Sequence, residues 1–158
     1  MQIRKAEQDD FDDTVSIEQK VLYPELSIQE LESWIESEDN FEATIFVAEK
    51  AGKIVGSASY EIYEVKGSEI IITLDTLVID KKNQGQGVGK QLLLTSLREA
   101  VKFYQKAGRF KVIGLFIQTD PEVAGFYEKV FPAEKLQKKD FSSVWKSGEG
   151  IILLFVPV

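Results

Sequence analysis

A chain of 158 residues fits one domain, 1–158, and is long enough to bury a core. It holds no cysteine and no histidine, which excludes disulfides, thiolate metal sites and thiol nucleophiles and removes the commonest general base. Its net charge of −7 argues against a nucleic-acid partner and suits a cationic one. Ser-His-Asp, Cys-His and zinc-hydrolase chemistry are therefore disfavoured. Catalysis, if present, falls to carboxylates, Tyr, Lys, Ser/Thr or backbone amides. No apolar run approaches the roughly 18 to 20 residues that span a bilayer. Met1 to Lys5 leads straight into polar sequence without a secretory segment. No membrane partner and a cytoplasmic location are expected.

Gln2 to Ala6 reads as a short strand, after which Asp9 or Asp10 caps a helix through Phe11, Val15, Ile17 and Val21. Beyond Tyr23-Pro24, Ser27-Ile28-Gln29-Glu30 has the form of a capping box. It opens a second helix with Ile28, Leu31, Trp34 and Ile35 on one face. Strands Thr44 to Ala48 and Ile54 to Tyr60 flank the turn residues Lys50-Ala51-Gly52-Lys53, a hairpin pattern. A strand rich in Ile, Leu, Val and Thr spans Ile70 to Ile79 and meets glycines at 85, 87 and 89.

The longest helix follows, with an apolar stripe of Leu93, Leu97, Ala100, Val101 and Tyr104, ending near Gly108. Val112 to Ile117 reads as a buried strand. Asp120-Pro121-Glu122 is an N-cap, a Pro at the first helical position and an acid in the first turn. That short helix carries Val123, Phe126 and Tyr127, and an apolar strand, Ile151 to Val156, ends the order. Trp145 marks a loop. A meander followed by strand-helix-strand-helix-strand predicts a mixed α/β domain without repeats or linkers.

The most informative stretch runs from Leu74 to Lys90. A strand entering a helix through glycines presents free N–H groups at the positive end of the helix dipole, a site for phosphate or pyrophosphate. Glycine serves there because a side chain would obstruct the anion or be strained at positive φ. A Walker A loop fails at both ends, at Gln84 and Gln91, and a dinucleotide fingerprint fails at Lys90. Gln84-x-x-Gly87-x-Gly89 satisfies a third pattern, Q/R-x-x-G-x-G/A.

That pattern resembles the acyl-CoA loop of the GNAT N-acetyltransferase superfamily. Further along, Asp120 to Lys129 resembles the family's closing helix, N-x-x-A-x-x-x-Y-E-K, with Asp120 for its Asn and Val123 for its Ala. Phe131-Pro132 stands where Gly-Phe commonly follows. The opening Ile3 to Ala6 and the paired early helices are similar as well, so the likeness runs over nearly the whole chain. It implies a central, mostly antiparallel sheet with a splayed parallel strand pair, flanked by about four helices. It also implies acetyl-CoA as co-substrate, no metal, and an amine acceptor such as a small cationic molecule. A non-catalytic acyl-CoA-binding or sensor module is the alternative, and a monomer and a homodimer are both open.

By the same resemblance, Leu77, Val78 and Ile79 offer backbone groups to the pantetheine arm, with a bulge splaying their strand from the Val112 strand. The amides of Gln84, Gly85, Gln86, Gly87, Val88, Gly89 and Lys90 cradle the pyrophosphate. Lys90, with Lys81 or Lys82, neutralises phosphates, or all three lysines are solvated surface charge. Asp75 stands where many members place a Glu used as a base, directly or through water; otherwise it is a strand-end acid. Tyr127 matches the tyrosine that hydrogen-bonds or protonates the leaving sulfur; otherwise it is a core aromatic. Trp34 lies on the segment that covers the acceptor pocket, and Asp120 is expected to act as a helix cap.

Overall fold

The computed structural model describes residues 1–21, 25, 27, 29–30, 43–140 and 151–155. Seven strands form one sheet in the order β1-β2-β3-β4-β5-β7-β6. In chain order these are β1 (Gln2–Lys5), β2 (Ala43–Lys50), β3 (Lys53–Lys66), β4 (Glu69–Ile79), β5 (Lys111–Thr119), β6 (Leu136–Asp140) and β7 (Ile151–Phe155). The described helices are α1 (Phe11–Val21), α2 (Val88–Gly108) and α3 (Pro121–Val130). Every pairing is antiparallel except β4 with β5, the expected parallel pair.

The β2–β3 hairpin turns through two residues, Ala51 at φ 52° and Gly52 at φ 74°. Positive φ at both central positions matches the twist of the flanking strands, which is why the turn is tight. Both strands outrun their predicted ends. β6 was not expected, since Leu136 to Asp140 lacks apolar alternation.

The two faces of the sheet are covered by different helices. Phe46, Ala58, Tyr60, Ile72, Leu74, Leu115 and Ile117 meet Leu92, Leu93, Leu97, Ala100 and Tyr104 of α2 in the main core. Each large aliphatic side chain buried here contributes about 1.5–3 kcal/mol. Tyr60 sits at the centre: its hydroxyl lies 2.8 Å from Ser96 Oγ, and its carbonyl accepts from Tyr104 Oη at 3.1 Å. On the other face Phe11 and Val15 of α1 pack on Ile45 of β2.

The start of α1 is fixed by charge. Arg4 donates to both oxygens of Asp10 at 2.6 and 2.8 Å and to Glu49 at 2.9 Å. Asp10 also accepts from the Glu7 N–H at 2.7 Å, so it reaches back to the cap position from inside the first turn. The Arg4 guanidinium holds the Asp10 carboxyl below its ordinary range.

The second expected helix falls almost wholly outside the described residues, as do Trp34 and Trp145. Its capping box is present: Glu30 accepts from the Ser27 N–H at 2.9 Å, and Ser27 Oγ accepts from the Glu30 N–H at 3.2 Å. The long helix ends where expected, but the left-handed residue is Arg109, at φ 55°. Gly108 is needed for space, because a Cβ there would lie 2.3 Å from the Phe110 ring.

Candidate active site

The site begins with a mismatch between β3 and β4. Leu74 opposes Tyr60 and Thr76 opposes Ser59, leaving Asp75 as an extra residue with no partner. One extra residue reverses the alternation of a strand. Ile70, Ile72 and Leu74 face α2 in the core, whereas Thr76 and Val78 register with Ser59 and Ser57 on the α1 side. Leu77 and Ile79 thereby take over the α2 side, packed against the main core.

The same position ends the parallel pairing. β4 and β5 are joined from Glu69↔Lys111 to Leu74↔Ile117 and no further. Past that point β5 turns its remaining residues to β7, through Gln118↔Ile152 and Thr119↔Ile151. From Asp75 to Ile79, β4 keeps its ladder with β3, and among the described residues no strand pairs with its other edge. The splay lies where the expected pantetheine contacts, Leu77 to Ile79, are found.

The opening runs into the glycine turn. Gly85 and Gly87 hold φ of 73° and 80°, and a Cβ on either would meet nothing within 4 Å. Gly87 is the N-cap of α2, and no side chain caps the first-turn N–H groups of that helix. A helix N-terminus of this kind is the general setting for anion binding. Gln84 is exposed, its Nε2 donating to the Ile79 carbonyl at 2.9 Å, while Gln86 Nε2 donates to the Lys82 carbonyl at 2.9 Å. These two glutamines brace the turn with their side chains. Gly89 has ordinary φ, and its added Cβ would rest 3.6 Å from Ile79 and Phe126.

This separates the glycines experimentally. Gly87→Ala is expected to cost about 1–2 kcal/mol of stability from left-handed strain and to weaken CoA binding. Gly89→Ala is expected to leave both nearly unchanged. Thermal unfolding with and without CoA checks both; equal behaviour of the two variants would contradict this account of the turn.

Lys81, Lys82 and Lys90 are exposed around the turn. The first two join Lys20, Lys53, Asp13 and Asp80 around an open groove of about 550 Å³ between α1 and the start of β3. Lys90 does not line it.

The two candidate catalytic residues approach from opposite faces. Asp75 reaches solvent, yet the sheet crowds its carboxyl; burial pushes it above the ordinary range and the Ser59 hydroxyl draws it partly back. Tyr127 is buried in the core cluster on the α2 side, its ring edge-on to Phe126 at 5.1 Å, and burial pushes its phenol up to about 12. Phe126 in turn lies near Gly89 at the start of α2, where an added Cβ would rest 3.6 Å from its ring.

Two expectations about α3 change. Asp120 is its N-cap by position, but its carboxylate makes no capping bond; its carbonyl accepts from Val123 and Ala124 instead. Val123 is 46% exposed while Ala124 is 2% exposed, so Ala124 is the small inward residue. A valine at 123 is thus accommodated without any change in packing.

Sequence reasoning passed over Glu18. It lies in α1 at 1% exposure, on the stripe of Phe11, Thr14 and Val15, facing β3 and β4. Ser57 Oγ donates to its Oε1 at 2.7 Å. The signal was present: position 18 continues the i, i+3/i+4, i+7 pattern from Phe11, and a carboxylate there has to be buried.

A family model for the acetyltransferase (GNAT) domain matches residues 41–130, more than half of the chain. The chain belongs to the GNAT acetyltransferase family. The GNAT fold is borne out by solved structures over the full length. A ribosomal-protein-alanine N-acetyltransferase from Brucella melitensis superposes with a TM-score of 0.76 at 17% identity, covering 99% of this chain and 100% of that one. An aminoglycoside 6'-N-acetyltransferase complexed with coenzyme A gives 0.72 at 14%, covering 99% and 97%. A spermidine N-acetyltransferase chimera from Vibrio cholerae and hSSAT gives 0.72 at 15%, covering 99% and 96%. No curated protein matches the chain in sequence at a significant level. As a GNAT protein the chain is an acetyl-CoA-dependent acyltransferase, and its turn and strand edge fit that co-substrate. Among the described residues there is no group of acids that could hold a metal, and no helix long and apolar enough to cross a membrane.

Proposed function

We propose that this GNAT protein moves an acetyl group from acetyl-CoA to a primary amine by direct attack within a ternary complex. The observation that carries the reading is the continuity of the open β4 edge with the uncapped glycine turn. The strand edge suits the amides of a pantetheine arm, and the turn suits a pyrophosphate. With no cysteine in the chain, no cysteinyl acyl-enzyme can form.

Each step falls to a residue of the chain. Backbone groups from Leu77 to Ile79 hold the thioester arm in line, and positioning supplies much of the acceleration. The N–H of Leu77 stabilises the developing oxyanion. Asp75 takes a proton from the acceptor ammonium through a water, because its side chain is short. Tyr127 serves the departing sulfur. Gln84 to Lys90 bind the pyrophosphate, with Lys90 and Lys81 or Lys82 close to the phosphates. The acidic balance of the chain favours a small cationic acceptor, of the kind named for the aminoglycoside and spermidine enzymes.

Thermal unfolding with acetyl-CoA, CoA, ATP and NAD in parallel tests the reading. Ligand at about a hundred times its Kd is expected to raise the midpoint by about 5 to 10 °C. A shift with the CoA species, followed by amine-dependent thiol release, supports it. A larger shift with ATP or NAD, or thiol release that no amine accelerates, overturns it.

A further inference from the structure

A second bulge lies further along the β3–β4 hairpin, and the proposed mechanism does not use it. Ile62 opposes Ile72 and Glu64 opposes Ile71, leaving Tyr63 as an extra residue of β3. A bulge re-aims a side chain. This one lays the Tyr63 ring flat against Phe116 of β5, across the intervening β4, with centroids 4.3 Å apart and ring planes within 7°. Gly114 stands opposite Ile71 on β5 and brings no side chain beneath the stack. Tyr63 is nonetheless 56% exposed. One face of its ring rests on Phe116 and the other meets solvent.

The stack belongs to the sheet face away from α2. Ile62, Ile72, Leu74, Leu115 and Ile117 pack in the main core with α2. Alternation therefore puts Glu61, Thr73 and Phe116 on the opposite face, where they stand side by side on β3, β4 and β5. Two residues beyond Thr73 comes Asp75, at the point where β4 and β5 part. By strand geometry the backbones of Phe116 and Asp75 are about 8 Å apart. Cations at this end of the sheet have carboxylates of their own: Lys66 lies 3.4 Å from Glu64, and Lys111 lies 3.5 Å from Glu69.

We propose that Tyr63, Phe116 and Glu61 form a subsite for the far end of the acceptor, holding the second cationic group of a diamine whose first amine stands at Asp75. This rests on acetyl transfer with Asp75 beside the reacting amine, and it narrows the acceptor class. An ammonium within about 6 Å of an aromatic centroid is attracted to the ring face, and the Glu61 carboxylate adds an opposite charge on the same rung. An aromatic platform alone would suit an apolar tail equally well. An acid at each end, Glu61 and Asp75, selects a cation at each end. A separation of about 8 Å suits a spacer of about four or five carbons. The subsite does no chemistry; it decides which amines dwell long enough to react.

Cadaverine and n-pentylamine share a five-carbon chain and differ in the second amine, so the pair reads the subsite directly. With saturating acetyl-CoA, cadaverine is expected to exceed n-pentylamine in kcat/KM by about tenfold, the weight of one partly desolvated cation–π contact. Tyr63→Leu keeps apolar cover over Phe116 and removes the ring face, and Glu61→Gln removes the charge. Each is expected to bring the ratio of the two amines close to one. A ratio that stays near tenfold in both variants overturns the subsite, as does a wild type that acetylates n-pentylamine as well as cadaverine or better. Calorimetric titration of cadaverine into the CoA-bound protein separates this inference from the reading beneath it. Binding that weakens several-fold in Tyr63→Leu, with no thiol release from acetyl-CoA by any amine, would sink acetyl transfer and spare the subsite.

Discussion

Asp75→Asn is expected to lower the rate of acyl transfer by about a hundredfold at neutral pH, within the usual range for losing a positioned base. Asn keeps the size of the side chain and cannot accept the ammonium proton. The pH profile carries the sharper information. Burial lifts the Asp75 carboxyl above its ordinary range, so the wild-type rate falls on acidification through that raised value. In Asp75→Asn the limb should vanish along with the rate. The same shift makes folded Asp75 hold its proton more tightly than the unfolded chain does. Its contribution to stability is therefore present at low pH and lost as pH rises through the folded value, and Asp75→Asn should remove that dependence. A rate left intact across the pH range would rule out Asp75 as the base.

Tyr127→Phe removes one oxygen from an otherwise unchanged packing environment, and a loss of about a hundredfold in kcat is expected. The phenol is pushed up to about 12 by its burial, well above the ordinary thiol value of about 8.5. A phenol so weakly acidic stays protonated throughout the working range. It serves the leaving sulfur first as a hydrogen-bond donor. Two consequences distinguish this from general damage to the core. Acetyl-CoA should raise the unfolding temperature of Tyr127→Phe as much as that of the wild type, and any alkaline limb below pH 10 should persist in the variant. An unaltered kcat would remove Tyr127 from the chemistry and leave it as a partner of Phe126 and the core.

The turn at Gly85 and Gly87 was legible because its chemistry is local. A strand, a pair of positive-φ glycines and an apolar helical stripe follow one another within a few residues, and each is fixed by backbone sterics. The Ala51-Gly52 hairpin and the Ser27–Glu30 capping box were legible for the same reason. The bulge was not located. Ile70, Ile72, Leu74, Thr76 and Val78 form an even alternation in the sequence, and only pairing with Ser59 and Tyr60 shows that Asp75 interrupts it. Glu18 was overlooked because a glutamate on a short helix reads as surface, and its burial depends on serines some forty positions later. β6 escaped notice because its strand character comes from pairing with β7 and not from its own residues.

The place of β7 bears on how the protein is made. β7 is synthesised after β6, yet it lies inside it, against β5. Until residues 151–155 leave the ribosome, the far edge of β5 has neither neighbour in place, because β6 reaches the sheet only through β7. The half of the domain that carries α1, β1 to β4 and the glycine turn can meanwhile pair from hairpins already made. The free edge of β4 beyond Leu74 is thus in place well before β5 is secured on its far side, and the sheet among the described residues becomes continuous only with β7.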